Sequence, residues 1–223
     1  AAEARLRVLK ARRELGEFGA LVFGYPAMRH HQRWIRALED ERIRYLMIMA
    51  PPSSGKTVWI GNIYPCWKGA RDPKKHYCYL SFAQNVAESR ASPTRLKIEE
   101  KRGEFRMVFP EVRPELRRTW GKEEWSLVGA DPADPDSTFT VASVTRGALG
   151  KHFHEIIVDD PHDPEEAVSK VGRERAWWFI QNVVLKRLLP GGRIVVDGFR
   201  WAEDDVPGRL LELFGSHSDE DCN

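Results

Sequence analysis

Cysteine is scarce: the chain has only three, and Cys66, Cys78 and Cys222 are too scattered for a disulfide framework or a zinc site. It also lacks any apolar run near the ~18 residues that a membrane-spanning helix needs, so no membrane partner is expected. The stretch "AAEARLRVLKARREL" is charged throughout and has none of the apolar core of a secretory signal, which makes a reducing cytoplasm the expected setting. An excess of one charge is missing too, since 35 Lys and Arg stand against 33 Asp and Glu. The resulting net charge of +2 neither announces a nucleic-acid binder nor rules one out, because patches matter more than totals. The basic clusters "RLRVLKARR" (5–13) and "RPELRR" (113–118) are readable as solvated helix faces or as phosphate contacts. Internal repeats and low-complexity blocks are absent.

What is present is an ordinary globular composition, 42% hydrophobic and 30% charged over 223 residues, enough for one sizeable core. Leu6, Leu9 and Leu15 draw one apolar stripe on a helix over 3–16, and a second helix is expected over 29–41 with Trp34, Ile35 and Leu38 inward. "IRYLMIMA" (43–50) and "HYCYLSF" (76–82) are short enough to be buried strands. A helix follows Gly55, stopping near Pro65 or at "GARDP". Another covers "QNVAESRASPTRLKIEEKR", with Pro93 interrupting it. "EEWSLVGA" and "STFTVASV" read as strands around the turn-rich "DPADPDS". "HEIIVDDP" is a strand ending in acids, "ERAWWFIQNVVLKRLL" a helix, "GGRIVVDGF" a strand and "DVPGRLLELFG" a last helix. Apolar strands alternating with helices predict an α/β fold with a mainly parallel sheet covered on both faces. The division expected is a helical arm or lid over 1–42, a core over 43–215 and an acidic tail or linker over 216–223.

"APPSSGKT" (50–57) lies between the first strand and its helix, where a phosphate-binding loop belongs. Such a loop needs converging backbone N–H groups, a lysine for the β and γ oxygens of a nucleotide, and a hydroxyl for magnesium. Gly55, Lys56 and Thr57 supply these in order. Pro51 and Pro52 cannot donate, so the cradle falls to Ser53, Ser54, Gly55, Lys56 and Thr57. Ala50 stands where a first glycine is usual, which is tolerable if its torsions stay ordinary. "EIIVDD" then places Asp159 and Asp160 at a strand end: Asp159 to hold the metal with Thr57, Asp160 to orient or deprotonate an attacking water. ATP and Mg2+ are the cofactors this pairing calls for. Arg146 in "SVTRGALGK" is the expected cation for the developing charge, ahead of Lys151, because its fork matches phosphate geometry. Gln32 in "HHQRW" is a candidate for an adenine edge and Arg200 in "DGFRW" for sensing the nucleotide. A surface glutamine and a strand-end arginine are the plainer readings of those two. Trp177 and Trp178 are adjacent on a helix, so one of them is expected at a contact surface.

From "YPAMRHHQRW" to "DDVPGRLLELF" the chain resembles the large terminase subunits of tailed bacteriophages. The pieces that carry the resemblance are "MAPPSSGKT", "IIVDDPHDPEEAVS", "RLLPGGRIVVDGFRW" and "EDDVPGRL". It implies a P-loop NTPase of the additional-strand class, an ATPase that drives double-stranded DNA into a viral procapsid as a homo-oligomeric ring. Portal protein and small terminase subunit are the implied partners, and the cytoplasm of an infected bacterium the implied location. Lys56 and Thr57 match that family's loop lysine and hydroxyl, Asp159 its metal aspartate, Asp160 its catalytic acid, and Arg146 its arginine acting across subunits. Three positions depart from the family pattern: Asp160 where Glu is usual, Ser53 and Ser54 where the loop often carries Arg, and Phe199 where a small hydroxyl residue is common. No cluster of strand-borne acids follows residue 205, so the resemblance covers the motor half and not the nuclease domain. A helicase-like or remodelling ATPase, or a DNA-binding assembly module that holds nucleotide without hydrolysing it, are the alternatives.

Overall fold

A computed structural model describes residues 2–144 and 150–215. Three helices come first: α1 (Ala2–Arg13), α2 (Leu15–Val22) and α3 (Arg29–Glu39). Strand β1 (Tyr45–Met49) leads through the proline-containing loop into a π-helical stretch, Thr57–Ile63, that runs on as α4 (Tyr64–Arg71). Next are β2 (Tyr77–Ser81), α5 (Gln84–Glu99), α6 (Glu104–Val108), β3 (Glu124–Trp125), β4 (Phe139–Ser143) and β5 (Phe153–Asp159). The short α7 (Pro164–Ala167) and α8 (Lys170–Phe179), extended by further helical turns to Arg187, precede β6 (Leu188–Gly198) and α9 (Val206–Phe214).

The six strands form one sheet in the order β1-β6-β5-β2-β4-β3, parallel except for β3, which runs against β4. The expected α/β class is thus observed, with helices on both faces. Strand alternation divides the core in two. Tyr77 and Tyr79, Ile157 and Val195 face one side with Trp59, Ile63, Tyr64 and Ala87. Cys78 and Leu80, Ile156 and Val158, Ile194 and Val196 face the other with Trp177, Ile180, Val206 and Leu210. Residues of the first three helices, among them Phe18 and Leu38, belong to the first cluster. Among the described residues no helix is long and apolar enough to cross a membrane.

Several local expectations need correction. The stripe through Leu6, Leu9 and Leu15 fails: Leu6 and Leu9 are exposed, and Leu15 is buried because it opens a separate helix after Glu14. α1 instead docks through Ala11 and through Arg12, which donates to the Val108 carbonyl. β1 is an edge strand and not a fully buried one; its Tyr45 stays half-exposed and stacks on Phe214 of α9 with ring centroids 4.5 Å apart. Of the two stops expected for the helix after the loop, the second holds: the helical run passes through Pro65 and ends at Arg71, within "GARDP". Pro93 likewise lies inside α5 without ending it. α6 and α7 were invisible in the apolar pattern because each is at most five residues long. "EEWSLVGA" contributes only two residues to the sheet, and β6 begins at Leu188, three residues before the expected glycine pair.

Candidate active site

The loop after β1 owes its shape to three neighbours, His30 and His31 on α3 and Tyr25 in the connection before it. His31 accepts the Met28 N–H at Nδ1 (3.1 Å), which leaves Nε2 as the protonated nitrogen that donates to the Ser54 carbonyl at 2.8 Å. His30 approaches the same carbonyl at 3.1 Å. Gly55 has φ +87°, and a Cβ there would come within 3.0 Å of both His31 Nε2 and the Tyr25 hydroxyl, so only glycine fits. Ala50 keeps an ordinary negative φ; the left-handed residues are Ser53 (φ 62°) and Gly55. The backbone freedom that a glycine would bring is therefore not needed at Ala50, and the left-handed bend falls later, at Ser53 and Gly55.

Lys56 is the N-cap of the helix that starts at Thr57 and is nearly buried. Its Nζ donates to the Ala50 carbonyl at 2.5 Å and approaches that of Pro51 at 3.4 Å, so the ammonium is folded back over the loop. The Phe199 ring lies 5.7 Å from Nζ, giving the departure at that position a direct consequence for the lysine. Ser54 Oγ is buried and has no partner. Together with the free N–H groups of a first helical turn, this orphan hydroxyl suits an anionic group with several acceptor oxygens.

The acids stand at the carboxyl ends of β5 and β6. In-register pairing puts Asp159 directly opposite Asp197, and strand alternation turns both to the face that carries the loop helix. Both are wholly buried. The Tyr79 hydroxyl donates to Asp159 Oδ2, whereas neither oxygen of Asp197 meets a donor. Burial, with Asp159 alongside, pushes the Asp197 carboxyl well above the usual carboxylate range. Asp160 turns out of the strand with φ 47°, tolerable for Asp, and its N–H donates to the Asp197 carbonyl at 3.1 Å. Its carboxyl is raised by burial and then by Asp159, while Arg90 and Lys56 pull it down. Asp159, Asp160 and Asp197 each offer an oxygen, all within 4.8 Å of one another. Two like charges paired across strands are unfavourable unless a cation joins them, and an all-oxygen donor set suits magnesium or another hard divalent ion.

The loop, Asp159 and Asp160 are thus brought to one end of the sheet, but other expected residues are not. Gln32 is exposed on α3, and it is its neighbours His30 and His31 that reach the loop. Arg200 is spent locally: it pairs with Asp205 at 3.0 Å and donates to the carbonyls of Ala202 and Glu203. Lys151 pairs with Glu124 at 2.7 Å. Arg146 lies outside the described residues, as does the tail 216–223. Thr57 starts the helix beside Lys56, half-buried. Of the two tryptophans, Trp177 is buried and Trp178 is 60% exposed.

Asp197 escaped sequence reading although "RIVVDG" ends as "EIIVDD" does, with an acid after an apolar run. Tyr79 and Arg90 carried no local signal, since a tyrosine in a strand and an arginine in a helix are unremarkable until the sheet order is known. Comparison of the chain with protein-family models and with curated proteins returned no match.

Proposed function

We propose that the chain is an ATP-hydrolysing motor of the P-loop, additional-strand class, moving double-stranded DNA into a viral procapsid as large terminases do. The observation that carries this reading is the meeting of the Lys56 loop with the Asp159, Asp160 and Asp197 carboxylates at one sheet end, where open α/β sheets bind ligands. The strand order adds support, because β6 lies between the strand that feeds the loop and the strand that carries the acids.

Magnesium, when bound, would supply charge neutralisation for the phosphates of ATP. The chain's own residues do the rest. Lys56 leaves the Ala50 carbonyl for phosphate oxygens, and Ser54 Oγ and the first-turn N–H groups line the cradle. Asp159, Asp197 and the Thr57 hydroxyl would hold the metal. Asp160, partly open to solvent, takes the proton of the attacking water at a carboxylate oxygen, and its raised affinity for protons suits it to that task. Arg146 of a neighbouring copy in a ring meets the developing charge. DNA is gripped through its phosphates without regard to sequence. Portal protein, small terminase subunit and the cytoplasm of an infected bacterium complete the reading.

Phosphate release measured with DNA present tests it: Lys56→Ala and Asp160→Asn each lose at least ~100-fold while keeping the wild-type circular dichroism spectrum. A wild-type rate in either variant overturns the assignment. A second reading, an assembly module that holds nucleotide without hydrolysing it, is favoured by the pinned position of Lys56 beneath Phe199. ATP binding by the wild type with no phosphate release identifies it.

A further inference from the structure

The carboxylates at the end of the sheet already have a cation, and the chain itself provides it. Arg90, on α5, places Nη1 3.1 Å from Asp159 Oδ1 and 3.1 Å from Asp160 Oδ2. A point shared by two carboxylates and close to a third is where a divalent ion gains most. A guanidinium serves that point poorly, being planar, singly charged and built to donate in a fixed fork.

The compensation is correspondingly partial. Arg90 makes a hydrogen bond to Asp160, reaches Asp159 Oδ1 only as an ion pair, and leaves both oxygens of Asp197 without a donor. The arginine side chain is also 26% exposed, so it has a way out to solvent that the wholly buried Asp159 lacks. A divalent ion and a guanidinium cannot share one pair of oxygens, because their mutual repulsion at such separations opposes both.

We propose that Arg90 is a resident stand-in for the divalent cation, seated between Asp159 and Asp160 in the nucleotide-free protein and displaced when the cation binds. The idea rests on the metal-nucleotide reading of this same site. It explains how the adjacent Asp159 and Asp160 are tolerated side by side without an ion, since the guanidinium supplies a counter-charge to both. It also sets an order of binding. A bare cation must evict Arg90 unaided, whereas a phosphate group arriving with the cation offers the fork a matching partner. Nucleotide and cation therefore load together, and the cation alone loads weakly.

The test is Mn2+ binding to the nucleotide-free full chain, followed by electron paramagnetic resonance, in wild type, Arg90→Gln, Arg90→Lys and the double variant Arg90→Gln with Asp159→Asn. Arg90→Gln is expected to bind Mn2+ at least tenfold more tightly than wild type, with Arg90→Lys between them, and the double variant to lose the gain. Mn2+ is also expected to raise the melting temperature of Arg90→Gln more than that of wild type. If Arg90→Gln does not fold without the ion, Mn2+ restores its circular dichroism spectrum; failure to restore it overturns the proposal. Equal binding in wild type and Arg90→Gln, abolished by Asp159→Asn, overturns the role of Arg90 and leaves the metal site standing. No Mn2+ binding in any of the chains overturns the site and the proposal together.

Discussion

Asp159 on β5 and Asp197 on β6 face each other in register across adjacent parallel strands, and both are wholly buried. Such a pair costs stability that only a cation or a shared proton returns. Asp197→Asn keeps the shape, removes one acid and supplies an N–H donor beside Asp159. In the absence of divalent ions it is expected to stabilise the fold by about 1 kcal/mol, raising the melting temperature by about 2–4 °C at this chain length. Calorimetry in chelator checks the sign; a lower melting temperature refutes the argument.

The loop clamp by His31 gives a pH signature. Burial lowers the His31 pKa below its usual value, and the Ser54 carbonyl offsets this only in part. The lowered folded-state pKa means that the unfolded chain binds protons more readily, so the stability from neutral His31 is present above pH 6.5 and is lost as the pH falls below it. Protonation would also set a second N–H against that of Met28. His31→Gln should therefore be less stable than wild type at pH 7.5, and the gap in melting temperature should shrink by pH 5.5. A gap that widens on acidification contradicts the tautomer assigned here.

Arg193 is the tie between the sheet and α3. From β6 its guanidinium donates to the Ala37 and Leu38 carbonyls at 2.7 Å each and to the Tyr64 hydroxyl at 2.9 Å, and that hydroxyl in turn donates to buried Glu155. Arg193→Met leaves Glu155 buried without its counter-charge and the end of α3 without donors. The expected loss is ~3–5 kcal/mol, a fall in melting temperature of roughly 6 °C or more. Denaturant titration measures it, and a loss under about 1 kcal/mol would show the network to be ornamental.

Action across a subunit boundary is testable by mixing. Arg146→Ala and Asp160→Asn should each be inactive alone, for different reasons, and a mixture of the two should regain phosphate release as each supplies what the other lacks. Failure of the mixture to exceed the sum of its parts argues that Arg146 does not act on a neighbour.

The alternation of apolar segments with helical ones was enough to place most elements, because a parallel strand buried on both faces must be apolar along its length. "APPSSGKT" and "IIVDD" could likewise be located, since a phosphate loop and a strand-end acid are local patterns. The sequence by itself thus determined the α/β class and the candidate roles of Lys56 and Asp159. Only the tertiary structure decided what surrounds them. Strand order put β6 between the loop strand and the acid strand and so added Asp197; the packing of α3 brought His30 and His31, not Gln32, to the loop; and α5 delivered Arg90 to two carboxylates about 70 positions away. Each of these contacts joins residues far apart in the chain, and no local periodicity encodes which helix end or strand edge will lie beside another. "SSGKT" is therefore a loop whose lysine, glycine and serines are positioned by the fold around it, as much as by its own spelling.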